Sequence, residues 1–277
     1  MLEARNIEEA TKPARRDETV SGLIRGLDVL RAFDREAPTM TLSQVAAKTR
    51  LPPAAARRYL RTLVGLGYLA QHGRMFVLRP KVLELGTHYL DAIDVNGLCQ
   101  ADLQEVVAVT GHSSSLAILD QEDIVYLAHA GVRRRFRAEA NVGTHYPAYA
   151  TSMGRVLLGE LDDPALREYL ATARFERLTE KTIIAPSELQ QAVAAARGDD
   201  YALVCDELFY GVMALAVPVR DQAGHAIAAI NCSARSPETD RVEMIESCLP
   251  VLRAAAERIS LALRRFPALS LSVRVGH

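Results

Sequence analysis

Apolar residues recur at helical spacing from Ser21 onward: Leu23, Leu27, Leu30 and Phe33 lie a turn apart, and the run stops before Pro38. Thr41-Leu-Ser-Gln44 then sets a hydroxyl at an N-cap and an amide three residues later. That is a capping box, and it predicts a short helix through about Thr49. A tight turn follows at Arg50-Leu51-Pro52. From Pro53 to about Leu66 a third helix is predicted, two-faced at about 100° per residue. Ala56, Leu60, Leu63, Val64 and Gly67 share one arc, while Ala54, Arg57, Arg58 and Arg61 share the opposite one. One face packs and the other is cationic. Residues 68–72 and 75–78 then read as a β-hairpin turning at Gly73-Arg74. This order is that of a helix-turn-helix followed by a wing, in which the last helix enters the major groove.

A second amphipathic stretch runs from Pro80 to about Leu98, with Val82, Leu83, Leu85, Tyr89, Leu90 and Ile93 on its apolar stripe. It predicts a linker helix whose stripe suits a dimer contact as well as packing within the chain. Beyond it, helices and strands alternate. Residues 115–119 and 124–128 flank an acidic turn and predict a hairpin. Helical periodicity returns near 148–160, 164–173 and 187–197; strands are expected at 201–205, 212–220 and 225–233. A long helix is expected from about Pro237, with Ser236 as N-cap, to about Arg265 with a bend at Pro250. The expected organisation is a mobile arm (1–20), a DNA-binding domain (21–83), a linker helix (84–100), a second domain (101–266) and a loose tail (267–277).

Charge sharpens the division. Residues 37–83 hold eight Lys or Arg and no Asp or Glu, although the 277-residue chain balances at −1. Residues 21–90 sum to +7 and residues 91–277 to −7, so a polyanion is attracted by the first part and repelled by the second. No apolar run reaches the ~18–20 residues of a membrane span, and residues 1–20 lack the apolar core of a secretory leader, which points to the cytoplasm. Cys99, Cys205, Cys232 and Cys248 are far apart, with no His at metal-ligand spacing. They read as reduced core thiols, and no metal or cofactor is expected.

With the winged helix placed, the chain resembles the IclR family of bacterial transcriptional regulators over residues 21–265. The resemblance rests on Arg25-Gly-Leu-Asp-Val-Leu30, Leu63-Val-Gly-Leu-Gly-Tyr68 and Leu78-Arg-Pro-Lys-Val-Leu-Glu-Leu-Gly86 in the first half. In the second half it rests on Val142-Gly-Thr-His-Tyr-Pro147, Ser152-Met-Gly-Arg-Val-Leu-Leu158, Gly211-Val-Met-Ala-Leu-Ala-Val-Pro218 and Ala228-Ala-Ile-Asn-Cys-Ser233. Tyr149-Ala-Thr-Ser-Met-Gly-Arg155 and residues 80–90 look most like the branch that controls aromatic-acid breakdown through the β-ketoadipate pathway, the PcaR, PcaU and PobR types. The resemblance implies an α+β chain of two domains, an N-terminal winged helix-turn-helix and a C-terminal α/β GAF-like effector-binding domain. It also implies a homodimer or homotetramer on double-stranded operator DNA, answering to a small carboxylate. The chain departs from the family in having Val204-Cys205 before Asp206-Glu207, Arg220 where an aromatic is common, and Ala214 where some members have cysteine.

The candidate DNA readers are Arg57, Arg58 and Arg61, because guanidinium groups can bond guanine with two donors. Lys48 and Arg50 would hold the backbone, Arg74 would sit at the wing, and Ala54 would touch a thymine methyl. The alternative for each is a solvated charged face. The candidate effector residues are Tyr149, Ser152, Met153, Met213, Ala214, Leu215, Asn231 and Ser233, with His145 and Tyr146 as walls or gates. The carboxylate is expected near the N–H groups of Ser152-Met153 and the ligand's polar tail or hydroxyl near Asn231 and Ser233, with Leu215 flanking the ring. Two other readings remain open. A hydrolase or transferase of small acids with an appended winged helix is weakened because Gly111-His-Ser-Ser-Ser115 lacks the closing glycine of a nucleophile elbow. A ligand-blind architectural DNA binder predicts no response to any metabolite.

Overall fold

Thr41 closes both halves of its capping box: its Oγ accepts the Gln44 N–H, and Gln44 Oε1 accepts the Thr41 N–H at 2.8 Å. This fixes the start of the second helix in the computed structural model, which describes residues 19–34, 36–131, 141–236 and 238–263. The expected arm at 1–20 lies outside the described residues except for its last two; the tail lies wholly outside them, as does a basic run at Arg133-Arg-Arg-Phe-Arg137. The chain divides into two compact units, Met1–Gly86 and Thr87–His277.

In the first unit, α1 (Ser21–Arg31), α2 (Leu42–Thr49) and α3 (Pro53–Gly65) pack with a three-stranded antiparallel sheet. Its strands are β1 (Thr39–Thr41), β2 (Leu69–His72) and β3 (Met75–Leu78), in the order β1-β3-β2. β1 is too short to show alternation in sequence, but it seats Met40 opposite Phe76, both buried. Arg50 ends α2 in the left-handed conformation (φ 55°), and Pro53 opens α3 where its missing N–H costs nothing. Val29, Phe33, Val45, Leu60, Leu63 and Leu69 form the core. Leu23 and Leu27, expected on the packed arc of α1, are instead exposed, as is Ile24 between them. The buried arc of this helix is centred on Val29.

The linker helix predicted as one piece is two. α4 (Leu83–Ile93) ends, Asp94 turns the chain through a left-handed residue (φ 42°), and α5 (Val95–Thr110) begins. The Asp94 carboxylate accepts the Gly97 N–H at 3.3 Å, so the residue breaking one helix caps the next.

The second unit is built on a six-stranded sheet. Its strands are β4 (Ser113–Asp120), β5 (Asp123–Ala130), β6 (His145–Pro147), β7 (Ala202–Cys205), β8 (Val212–Arg220) and β9 (Ala226–Arg235). The order is β6-β5-β4-β9-β8-β7 and every pairing is antiparallel, so alternation along the chain does not produce a parallel sheet. One face packs against α5 and α9 (Arg241–Leu263), burying Leu103, Val106, Leu252 and Ile259 with Leu116, Met213, Leu215 and Ile230. The other face carries α6 (Ser152–Leu158), with α7 (Asp163–Thr172) and α8 (Pro186–Asp199) beyond it. On that face the strands present Ala117, Ala216 and Ala229, and these small side chains let α6 lie close. α9 starts later than expected because Asp240, not Ser236, caps it, its carboxylate accepting the Val242 N–H at 2.9 Å. The helix expected over 148–160 begins as a 3₁₀ turn (Ala148–Ala150), and α6 follows only after Thr151.

Candidate functional site

α3 carries its arginines on the side away from Leu60 and Leu63, as i, i+3, i+4 and i+7 spacing from Ala54 requires. Ala54, Arg57, Arg58 and Arg61 are all exposed, and none of the three guanidinium groups is paired with a described acid. Arg50 is exposed at the turn before α3, and Arg74 at the hairpin tip beside Gly73, which takes a positive φ of 60°. Lys48 differs. Its ammonium lies 2.5 Å from the Asp34 carboxylate and holds that carboxyl below its usual range, so part of its charge is already answered. Asp34 sits just outside the acid-free stretch. Lys81 is likewise turned inward, donating to the Leu66 carbonyl at 3.1 Å and lying over the Tyr68 ring.

In the second unit the sheet is polar where α6 begins. Thr151 caps α6 by accepting the Gly154 N–H at 3.0 Å. Gly154 has no alternative: a Cβ there would overlap the backbone of Ala148, so only glycine lets the helix start sit this close to the preceding turn. Ser152 and Met153 are thereby held 1% exposed, and their N–H groups make no hydrogen bond with a described residue. They line a half-open pocket whose enclosed space is about 50 Å³. Ala150 and Thr151 join them on this wall, Val212 and Ala214 come from β8, and Asn231 and Ser233 from β9. Tyr126, Val204, Glu207, Leu208 and Phe209 complete the lining.

Of the expected effector residues, the structure brings together Ser152, Met153, Ala214, Asn231 and Ser233. Three do not join them. Met213 and Leu215 flank Ala214 on β8 and therefore point to the opposite face, into the core with α5 and α9, so Leu215 cannot flank a ligand in this pocket. Tyr149 is buried against Phe175, with its hydroxyl donating to the Glu176 carbonyl at 2.9 Å. His145 stands exposed, 3.8 Å from Asp123. Tyr146 lies behind the wall, edge-on to both Tyr126 (5.6 Å) and Phe209 (5.7 Å). Burial pushes the Tyr126 phenol well above its ordinary range, so it stays a neutral hydroxyl.

The polar groups are oriented by the sheet. Asn231 Oδ1 accepts the Ser115 N–H at 3.0 Å, which fixes the amide, and Nδ2 donates to Ser233 Oγ at 3.2 Å. Ser115 Oγ bonds His129 Nδ1 at 2.9 Å on the next strand. Glu207, on the wall formed by the loop after β7, pairs with Arg155 in the middle of α6 at 2.5 Å, and Ile183 N–H reaches the same carboxylate oxygen at 3.3 Å. Asp206 is a clamp for this loop. It adopts a left-handed backbone (φ 61°), and its carboxylate accepts from Lys181 (2.8 Å), Ser236 (2.6 Å) and the Gly211 N–H (2.8 Å). The lysine, then the serine, pull its carboxyl down to about 2.

Tyr126, Glu207 and Phe209 escaped sequence reasoning. Asp206 and Glu207 are adjacent acids, and nothing in a lone sequence separates the one that clamps the turn from the one that lines the pocket.

Comparison with known proteins follows the same two units. The IclR helix-turn-helix domain model matches residues 22–73, and the model for the C-terminal domain of bacterial IclR transcriptional regulators matches residues 87–261. The Pca regulon regulatory protein of Pseudomonas putida is 36% identical over 252 residues, covering 88% of this chain and 87% of that protein. The crystal structure of a proposed transcriptional regulator from Rhodococcus sp. RHA1 superposes with a TM-score of 0.78 at 41% identity, over 89% of this chain and 99% of that one. A double mutant of the PobR inducer-binding domain from Acinetobacter, in complex with 3-hydroxybenzoic acid, is similar at 31% identity and a TM-score of 0.56, over 61% of this chain and 97% of that one. Among the described residues, no helix is long and apolar enough to cross a membrane. Both domain matches fall in series on one chain, and the Pca relative runs through both: the protein belongs to the IclR family of DNA-binding transcriptional regulators.

Proposed function

We propose that this regulator reads operator DNA with α3 and that a small carboxylate, an aromatic acid or ring-cleavage product, controls that binding from the pocket beside α6. The observation that carries the effector reading is the pair of donors without a described partner at Ser152 and Met153, both buried, in a pocket with mostly apolar walls. An anion leaving water needs donors already in place. The PobR double mutant that holds 3-hydroxybenzoic acid supports an aromatic ligand.

For DNA, Arg57, Arg58 and Arg61 supply base or phosphate contacts, Arg50 and Arg74 flank them on the backbone, and Ala54 faces a thymine methyl. Lys48 contributes once it exchanges Asp34 for phosphate. Paired half-sites call for at least a dimer, and the exposed Leu23, Ile24 and Leu27 on α1 support such an assembly. The chain works where the DNA is, in the cytoplasm. It is not read as an enzyme: Ser115 and His129 are bonded, but Ser115 is buried and off the pocket wall. Ligand and DNA become linked if the acid binds one arrangement of the assembly better than the other.

A thermal-shift screen of aromatic acids and ring-cleavage products, followed by DNA-binding titrations with and without the hit, tests the reading. A stabilising acid that changes operator affinity is expected. Turnover of the acid would favour the hydrolase or transferase, and no shift with any compound would favour the ligand-blind binder.

A further inference from the structure

The pocket's hydrogen-bonding pattern is legible without a ligand, because the protein's own bonds fix where most protons point. Asn231 spends its Oδ1 on Ser115 and gives an Nδ2 proton to Ser233 Oγ. The Ser233 hydrogen is therefore left to donate elsewhere, and Ser233 lines the pocket. With the N–H groups of Ser152 and Met153, this makes three donors without a described partner among the lining residues.

Glu207 supplies the opposite character. Its Oε2 accepts from both Arg155 and Ile183, whereas Oε1 makes no bond to a described residue. That oxygen is not sealed away. Among the described residues, the one side-chain polar atom both fully buried and unpaired is Arg155 Nε. Oε1 thus keeps accessible surface on a residue that is 8% exposed and lines the pocket. The site combines donors suited to an anion with one anionic acceptor.

We propose that Glu207 is the specificity-determining residue of the pocket: among aromatic carboxylates it selects those carrying a ring hydroxyl, whose proton Oε1 accepts. This rests on the aromatic-acid alternative of the reading above, not on its ring-cleavage alternative. An acid without the hydroxyl leaves Oε1 desolvated and unpaired, and sites built around such a bond reject the analogue that lacks it. A flexible dicarboxylate fares worse, because its second charge meets that of Glu207.

The test is calorimetric titration of the full chain with benzoate, 3- and 4-hydroxybenzoate, the matching methoxybenzoates, and adipate. The better hydroxybenzoate should bind at least about tenfold tighter than benzoate and than its own methyl ether, a step of about 1.4 kcal/mol. Adipate should bind more weakly still. In Glu207→Gln the hydroxyl preference should shrink severalfold and the penalty on adipate should fall. If that variant does not fold, the ligand series on the parent decides alone. Equal affinity for benzoate and both hydroxybenzoates would overturn the role of Glu207 while leaving an aromatic-acid effector standing. Binding of adipate with none of the aromatic acids would overturn both.

Discussion

Arg155 Nη2 lies 2.5 Å from Glu207 Oε2, with the two side chains only 6% and 10% exposed. The pair joins the middle of α6 to the loop after β7, so the two walls of the pocket share one electrostatic bond. Removing one partner strands the other charge out of water. Arg155→Met is expected to cost about 3–5 kcal/mol in urea unfolding. Adding Glu207→Leu to that variant should recover much of the loss, since a buried ion pair replaced by apolar groups is often near neutral. A single mutant within about 0.5 kcal/mol of the parent would show that the pair is dispensable.

Asp206 gives the fold a pH signature. Its carboxyl is held at about 2, against an ordinary value near 3.8, by Lys181 and then Ser236. A folded-state value below the unfolded one stabilises above the unfolded value and loses that contribution as pH falls through the folded one. The contribution should therefore be complete above about pH 4 and gone near about pH 2, and because Lys181 is exposed it is on the order of 1 kcal/mol. Asp206→Asn should lower the urea midpoint at neutral pH, and the gap to the parent should narrow in acid. A gap unchanged from neutral pH to about pH 2 would mean that the ion pair is not its source.

The helix-turn-helix and hairpin of the first unit, though not β1 or the packed arc of α1, are legible because their punctuation is local: the Thr41/Gln44 box, Pro53 at a helix start and Gly73 at a hairpin tip each act within a few residues. The pocket was half legible for a physical reason. β8 is buried on both faces, so its apolar run carries no alternation to tell Ala214 from Met213 and Leu215. Only the packing of α6 decides which parity is the pocket. Tyr126, Glu207 and Phe209 come from β5 and a loop about 80 residues later, and a single sequence does not record that they meet. The break at Asp94 was missed for another reason. Aspartate tolerates a left-handed backbone without the glycine or proline that usually announces one.

Filling the pocket separates ligand binding from DNA binding. Ser152→Leu and Ser233→Leu each place a larger apolar side chain where the wall is buried or half-buried. Parent protein at 100 times the Kd of a bound acid gains about 2.7 kcal/mol, read as a thermal shift. Both variants should lose that shift yet keep ligand-free operator affinity, because neither residue belongs to the DNA-binding unit. Tight calorimetric binding of the acid to both variants would move the site elsewhere.

The arginine face of α3 can be sorted by salt. Arg57, Arg58 and Arg61 are exposed on a helix whose other side is anchored by Ala56, Leu60 and Leu63, so alanine at any of them should leave the fold intact. A residue that bonds a base edge should cost about 1–3 kcal/mol on the operator and much less on unrelated DNA. A residue that bonds phosphate should weaken both alike and lower the slope of log K against log salt by about one. Fluorescence anisotropy over a range of salt, with operator and scrambled duplexes, distinguishes the two for each position. Lys48 serves as an internal comparison: binding must first break its pair with Asp34, so Lys48→Ala should cost less than loss of an unpaired phosphate-bonding arginine. If all three arginine variants bind the operator like the parent at every salt, α3 is not the reading helix. The acid-free charge of residues 37–83 would then be only a solvated surface.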